Sequence, residues 1–212
     1  MSKKVIALMG SPRKNGNTDT LVKEVLRGAA EAGAETRLVH VAELNMKGCQ
    51  GCYSCKQRER AGQGCILEDD MTPLYREIEE ADVVVFGSPV YMSTMSAQLK
   101  LVVDRLFPYI IIDGKGPLPK GKRCALIFTQ NQTDPRLFAG HFDMTALLLQ
   151  FMGFEAPEVL VSVDTIGYKG SPDTLALPEP EGATERKNRH KETEFPRDMQ
   201  RAHEMGKRLA GQ

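Results

Sequence analysis

Four of the five cysteines in this chain fall within one short stretch, and their spacing is typical of a metal site. Cys49, Cys52 and Cys55 are each separated by two residues, and Cys65 follows after nine more. Thiolates bind iron–sulfur clusters and zinc, but three consecutive thiols with a distant fourth suit a 4Fe-4S cluster better than the paired knuckles of a zinc site. The stretch 46–67 therefore predicts a 4Fe-4S cluster, with zinc and metal-free thiols as the alternatives.

The loop 10–18 is a candidate phosphate site. It follows an apolar run and precedes a helical pattern, and a helix start offers free N–H groups and a positive dipole end. It lacks the Gly-Lys-Ser/Thr ending of a nucleoside triphosphate loop and the Gly-x-Gly-x-x-Gly spacing of a dinucleotide fold. The pattern indicates a monophosphate cradle, with a polar capped turn as the alternative. The residues expected to contact the phosphate are Ser11, Arg13, Gly16, Asn17 and Thr18.

Two further loops after apolar runs carry side chains suited to a flat ligand. An apolar ring needs apolar and aromatic walls, with backbone N–H groups and hydroxyls at its polar edge. The alternative is ordinary core packing, but a phosphate loop on the neighbouring strand favours a binding site. The candidate residues of these two loops are Pro89, Val90, Tyr91, Met92 and Ser93, and then Thr129, Gln130 and Asn131.

Apolar runs alternate with helical patterns along the chain, which predicts a doubly wound five-stranded parallel sheet with helices on both faces, an α/β fold. We expect one domain over 1–212, with a surface excursion or mobile segment at 167–195, where Gly, Pro and charged residues dominate. Ligands of such sheets bind at the carboxyl ends of the strands, where the three loops would meet. The expected strands are 4–9, 36–41, 82–86, 123–129 and 158–163, and the expected helices are 18–32, one starting at 70 or 72, 97–107, 134–152 and 196–210.

Composition excludes several function classes. Lys plus Arg and Asp plus Glu both number 28, so no basic excess attracts nucleic acid or anionic membranes. No apolar run has transmembrane length, and the apolar stretch 5–9 is too short for a signal peptide, so a cytoplasmic location is expected. The four histidines form no ligand spacing, and Cys124 is expected to be a buried apolar residue. No side chain is assigned as catalytic.

Taken together, these motifs resemble the flavodoxin-like NAD(P)H-dependent FMN reductases and, within them, the iron–sulfur flavoproteins. The resemblance covers roughly residues 4–165, and the cysteine motif points to the cluster-bearing branch. The matching residues are Gly10, Ser11, Pro12, Arg13, Gly16, Asn17 and Thr18; Pro89, Val90, Tyr91 and Met92; Ala97, Gln98, Leu99 and Lys100; Asp104 and Arg105; and the four clustered cysteines.

The resemblance implies bound FMN, with its phosphate held by residues of the loop 10–18 and its isoalloxazine ring flanked by residues 89–93. It also implies a homodimer or homotetramer with FMN near a subunit interface. We expect an FMN-dependent oxidoreductase that relays electrons between FMN and a 4Fe-4S cluster. The donor would be NAD(P)H or ferredoxin, and the acceptor a quinone, a nitro compound, oxygen or another protein.

Three other functions remain open from the sequence. The first is a cluster-free NAD(P)H-dependent FMN or quinone reductase. The second is a non-enzymatic flavodoxin-like electron carrier, which would show no turnover above that of free FMN. The third is a regulatory module whose cysteines sense oxygen or zinc.

Overall fold

The computed structural model describes residues 2–60, 64–111, 116, 118–119, 121–165 and 180–211. Strands and helices alternate along the chain, as the sequence predicts. The strands are β1 (Lys4–Met9), β2 (Glu35–His40), β3 (Val83–Tyr91), β4 (Thr94–Met95), β5 (Arg123–Thr129) and β6 (Glu158–Ser162). The helices are α1 (Asn17–Glu31), α2 (Met71–Glu80), α3 (Ala97–Arg105), α4 (Ala139–Phe151), α5 (Ala183–Thr193) and α6 (Phe195–Ala210).

Five strands form a parallel sheet in the order β2-β1-β3-β5-β6. The short strand β4 pairs antiparallel with the end of β3. The chain reverses its direction across the sheet at β1 and β3, which are neighbours, so the crevice at their carboxyl ends is the expected ligand site. The α/β doubly wound fold is confirmed.

Helices cover both faces of the sheet, which explains why its strands are nearly continuous apolar runs. Ile6 and Leu8 of β1 point into a core with α2, α3 and α4. Val5, Ala7 and Met9 point the other way, into a core with α1 and α6. This alternation fixes the register of β1, since a slip of one residue would exchange its two faces.

Several elements differ from the expected ones, among them the short strand β4, for which no element was expected. β3 continues to Tyr91 instead of ending near residue 86, because the chain beyond residue 87 still pairs with β5. α4 starts at Ala139 instead of residue 134, because residues 134–138 form turns in which the Asp134 carboxylate accepts the N–H of Arg136 at 2.8 Å.

Helix α5 forms within the segment 167–195, for which no element was expected. Residues 167–179 of that segment lie outside the described part of the chain. Among the described helices, none combines the length and the apolar character that a membrane crossing requires.

Candidate functional site

The loop between β1 and α1 is shaped by its own side chains. The Ser11 hydroxyl is buried and accepts the N–H of Arg13 at 3.2 Å. Asn15 adopts a left-handed conformation, with φ of 58°, and its N–H is held at 2.7 Å by a carboxylate oxygen of Asp19. Two short side-chain contacts thus fix the path of the loop before the helix begins.

Helix α1 begins without a side-chain cap, because Gly16 occupies the N-cap position. The positive end of the helix dipole faces the same edge of the sheet as the strand ends, which is the arrangement that binds a phosphate. The hydroxyl of Thr18, in the first turn, lies 2.7 Å from that of Thr129 at the end of β5. This buried contact joins the helix start to the far side of the crevice.

The chain after β3 folds back as a tight hairpin. Tyr91 pairs with Thr94, so Met92 and Ser93 alone form the turn, and both have positive φ, 47° and 67°. Such a turn favours Asn-Gly, so the present residues hold it at a conformational cost. Met92 at its tip is 95% exposed.

The base of the hairpin is anchored to the other elements of the crevice by Ser96. Its N–H donates to the buried hydroxyl of Ser88 at 2.8 Å. Its hydroxyl caps α3 by accepting the N–H of Leu99 at 3.2 Å, and donates to the carbonyl of Gly10 at 2.7 Å. The hairpin, the first loop and the start of α3 therefore form one connected frame.

The end of β5 contributes an unsatisfied polar atom. The side-chain N–H of Gln130 donates to the carbonyl of Asp134 at 2.7 Å, but its buried Oε1 has no hydrogen-bond partner in the described part of the chain. A buried acceptor of this kind is destabilising unless a bound molecule donates to it. Its position in the crevice fits the polar edge of a flavin.

These elements surround a pocket of about 240 Å³ at the carboxyl edge of the sheet. On one wall lie the helix start and Arg13, whose guanidinium is 3.4 Å from the Tyr91 hydroxyl; on the other lie Pro89, Val90 and Tyr91. Met92 and Ser93, the two other predicted contacts, lie at the hairpin tip and do not line this pocket. The lining residues are Ser11, Arg13, Gly16, Asn17, Thr18, Pro89, Val90, Tyr91, Thr129, Gln130, Asn131 and Thr165.

Sequence reasoning missed one residue that lines this pocket and one that braces its wall. Thr165 follows β6, and its N–H and hydroxyl both donate to the Gln130 carbonyl at 3.0 Å. The rule that picked the other loops would have found it, had the end of the last strand been considered. The second is Lys187 of α5, whose ammonium donates to the side chain of Asn131 although it lies 56 residues away along the chain. No local pattern indicates that contact.

The four predicted cysteines line a second, small cavity of about 20 Å³, which lies against the C-terminal end of α3. Cys49 and Cys52 are exposed, and Cys55 and Cys65 are half-buried. Gly51 and Tyr53 adopt left-handed conformations, which turn the chain so that the first three cysteines line the same cavity. In the described part of the chain, no three side chains are yet arranged as a metal site.

The environment of the thiols suits a soft metal group. Hydrogen bonds from Ser54 lower the pKa of the Cys52 thiol, which favours its thiolate form. Burial raises the pKa of Cys55, the Lys56 ammonium opposes this effect, and neighbouring charge on Cys65 and Cys52 adds to it. The thiols are therefore close enough to interact, and thiolates crowded together are stabilised by a shared cation or cluster. Cys124 is buried, as expected, and its pKa is raised by burial to about 12.

One wall of the cysteine cavity contains a buried ion pair. The side chain of Arg105 is inaccessible to solvent, and its guanidinium forms two hydrogen bonds with the carboxylate of Asp69, at 2.7 and 3.2 Å. Burial alone would raise the pKa of Asp69, but the hydrogen bonds from Arg105 and from backbone N–H groups lower it. Both members of the pair are therefore charged.

Comparison with known proteins relates the chain to flavin reductases. A family model described as NADPH-dependent FMN reductase matches residues 3–135. An iron–sulfur flavoprotein of Methanocaldococcus jannaschii is 42% identical over 105 residues, which are 50% of this chain and 52% of that protein. An iron–sulfur flavoprotein of Archaeoglobus fulgidus is 36% identical over 119 residues, 56% of this chain and 50% of that protein. The chain thus spans about half the length of these curated relatives.

Solved structures agree on the fold. An NAD(P)H:quinone oxidoreductase from Methanothermobacter marburgensis superposes with a TM-score of 0.69 at 16% identity, covering 100% of this chain and 99% of that one. At this identity the likeness establishes the architecture alone.

The family model covers most of the chain, including the loop 10–18, the hairpin and the four clustered cysteines. The chain therefore belongs to the NADPH-dependent FMN reductase family.

Proposed function

We propose that this chain is an FMN-dependent oxidoreductase that relays electrons between FMN and an iron–sulfur cluster. The observation that carries the proposal is the pocket at the carboxyl edge of the sheet. It joins an uncapped helix start to an apolar and aromatic wall, and it contains the unsatisfied Oε1 of Gln130. These are the features that a phosphate, a flat ring and a polar ring edge require.

Within this pocket, the residues of the chain take distinct roles. The loop 10–18 would hold the phosphate, with Arg13 supplying positive charge. Pro89, Val90 and Tyr91 would flank the ring, and Gln130 would meet its polar edge. Bound FMN supplies the redox chemistry, so no side chain needs to act as an acid or base.

The cysteine loop would hold the cluster through Cys49, Cys52, Cys55 and Cys65. The donor set fits, because all four thiols line one cavity. A bound cluster would supply one-electron transfer. Helix α3 has nine residues and is about 13 Å long, with its first residue beside the FMN pocket and its last beside the cysteines. One short, rigid element therefore sets the separation of the two sites.

We further propose NAD(P)H or ferredoxin as the donor and a quinone-type compound, a nitro compound, oxygen or a protein as the acceptor. The names of the matching family and of its relatives support a nicotinamide donor. Turnover of NAD(P)H with a quinone, measured against free FMN, separates an enzyme from a pure electron carrier: no excess over free FMN contradicts the enzyme.

A second copy of this chain is the proposed partner, bound through the face of α4. Met144, Leu147 and Phe151 lie on one side of this helix and are 64%, 41% and 57% exposed. The same helix is joined to the hairpin by His141, whose Nε2 accepts the N–H of Met95 at 3.0 Å. This contact places the apolar face of α4 near the hairpin that follows β3, in agreement with the expected position of FMN near a subunit interface.

A cluster-free NAD(P)H-dependent reductase is the second candidate. It is favoured by the observation that the described Cys, His, Asp and Glu side chains form no group of three that could hold a metal ion. In that case the cysteines are free thiols or a zinc site, and the FMN pocket keeps its role unchanged.

The deciding experiment is anaerobic purification followed by a visible spectrum and by FMN, iron and sulfide assays on the same sample. Flavin bands with a broad shoulder that reductant bleaches, and about four iron per chain, are expected. Stoichiometric FMN without iron would select the cluster-free reductase. A protein that never retains FMN would overturn both functions.

A further inference from the structure

We propose that Arg105 is the positioning residue of the cysteine site: it fastens both ends of the cysteine loop and places a buried positive charge, balanced by Asp69, beside the thiols. The inference rests on the proposed function where it concerns a bound cluster. The effect on the loop itself requires only the chain.

The geometry of Arg105 spans the cysteine segment. Its Nη1 donates to the carbonyl of Lys47 at 2.8 Å, two residues before the first cysteine of the cluster. Its Nη2 lies 3.3 Å from the carbonyl of Leu67, two residues after the last. One planar guanidinium therefore holds the entry and the exit of the loop at a fixed separation, which no single-point donor can do.

Asp69 completes the clamp from the loop side. Besides its two hydrogen bonds with Arg105, its carboxylate accepts the N–H of Lys47 at 3.0 Å and that of Met71 at 3.0 Å. The same carboxylate thus links the start of the loop, the arginine and the start of α2. The chain between residues 47 and 67 can close on a metal group only if these ends stay together.

Arg105 also affects the electrostatics of the cysteine cavity. The cavity lies at the C-terminal end of α3, where the helix dipole is negative, and thiolates add further negative charge. Arg105 is fully buried beside them, so water screens its charge little. Hydrogen bonds to Asp69 and Tyr75 raise its pKa although burial alone would lower it, so it stays positive.

Lys56 supports this assignment from inside the loop. Its ammonium donates to the carbonyls of Pro108 at 2.9 Å and Ile110 at 2.8 Å, in the turn that follows α3, and lies 5.4 Å from the centre of the Phe107 ring. Two cations therefore dock the loop, Arg105 at the end of α3 and Lys56 on the turn that follows it. Lys56 holds only one side of the loop, whereas Arg105 holds both ends.

Two variants test the inference. Arg105→Lys keeps the charge and removes the fork, while Asp69→Asn keeps the shape and leaves Arg105 without its counter-charge. Arg76→Lys is the matched control, since Arg76 makes an exposed pair with Glu80 on α2. FMN content reports folding in every variant, because the FMN pocket lies at the other end of α3.

The first readout uses metal-free protein and needs no cluster. We expect the half-buried thiols of Cys55 and Cys65 to react with a thiol reagent about tenfold faster in Arg105→Lys, as the loss of charge-assisted hydrogen bonds shifts a local opening equilibrium. Arg76→Lys should match the wild type. Equal rates in Arg105→Lys and the control would overturn the clamp.

The second readout uses the cluster-loaded protein. We expect Arg105→Lys to lose iron about tenfold faster on anaerobic dilution at unchanged FMN content, the usual effect of removing a partner that orients metal ligands. The reduction potential of the cluster should rise in Asp69→Asn, because unbalanced positive charge favours the added electron, and should stay nearly constant in Arg105→Lys.

These outcomes separate the possible failures. A loop that is merely loosened would change iron retention without a potential shift in Asp69→Asn, and would remove the electrostatic part of the inference. A wild-type protein that never takes up iron would contradict the cluster relay, while the thiol rates would still decide the clamp.

Discussion

Two buried threonine hydroxyls connect the start of α1 to the end of β5. The Thr18 and Thr129 oxygens are 2.7 Å apart, and both side chains line the pocket proposed to bind FMN. A buried hydroxyl without its partner destabilises the folded state. This single contact therefore couples the stability of the fold to the shape of the phosphate site.

Thr18→Val keeps the volume of the side chain and leaves the Thr129 hydroxyl unpaired. We expect the free energy of unfolding to fall by about 1–3 kcal/mol, and FMN to bind more weakly because the helix start moves. Urea unfolding with and without FMN measures both effects. Thr193→Val, at an exposed hydroxyl on α5, is the control and should change neither. An unchanged affinity for FMN in Thr18→Val would place the phosphate elsewhere.

Protonation of His141 makes the stability of the folded hairpin depend on pH. Burial holds its pKa below the ordinary value of about 6.5, in accord with its role as acceptor for the Met95 N–H. Below pH 6.5 the unfolded chain binds a proton here that the folded ring resists. The contribution of His141 to the stability of the folded state is therefore complete above that pH and is lost as the pH falls towards the folded pKa.

We expect the melting temperature of the wild type to fall between pH 7.5 and 5.5, and His141→Asn to weaken that dependence while lowering stability at pH 7.5. The measurement is thermal unfolding across the pH range. Identical slopes for the two proteins would show that other groups control acid sensitivity and that this ring does not.

At the scale of elements, α1 and α6 cross at two glycines. A β-carbon on Gly28 would lie 1.9 Å from the carbonyl oxygen of His203, and one on Gly206 would lie 1.9 Å from that of Val25. Backbone thus meets backbone in this crossing. Because the obstacle is main chain, no rotamer change can relieve an added methyl group.

Gly28→Ala should force the two helices apart. We expect a loss of about 3 kcal/mol or more of unfolding free energy, the upper range for overpacking. Gly140→Ala is the control, because its β-carbon would meet no described atom within 4 Å. In the exposed first turn of α4 that change should alter the free energy of unfolding by no more than about 1 kcal/mol. Chemical denaturation of both variants tests the contrast; two similar values would contradict the close crossing.

The elements show what the sequence can predict and why. β1 and β5 match their expected bounds, because strands buried on both faces read as uninterrupted apolar runs. α5 was not expected, since only Ala183 and Lys187 of its residues are buried and no apolar stripe marks it. Its position is fixed by long-range contacts, such as the pair between Arg186 and Asp164 at 2.8 Å.

The candidate site divides in the same way. The rule that ligands bind at strand ends predicts that Ser11, Tyr91 and Thr129 lie together, and all three line one pocket. The hairpin was not predicted, because Met92 and Ser93 are not the residues that such a turn favours. The contacts of Arg105 were not predicted either, since nothing in the spacing of residues 47, 67 and 105 indicates that they meet.

At the scale of the whole molecule, assembly would decide how the pocket is completed. Met144→Glu places a charge in the centre of the proposed α4 interface and should convert a dimer into a monomer, since desolvating an unpaired carboxylate is costly. Gln150→Glu is the control, because it adds the same charge at an exposed position beside that face. Light scattering coupled to gel filtration measures the mass; a dimeric Met144→Glu protein would rule out this face.

The boundary of the family match has a practical meaning for redesign. The matched residues 3–135 contain the loop, the hairpin and the end of β5, but Thr165 and Lys187, which complete or brace one wall of the pocket, lie beyond it. The residues that line or brace the proposed flavin pocket therefore lie on both sides of this boundary. An exchange of all residues after 135 between relatives would therefore replace Thr165 and Lys187 as well, and a hybrid chain must keep both to preserve that wall of the pocket.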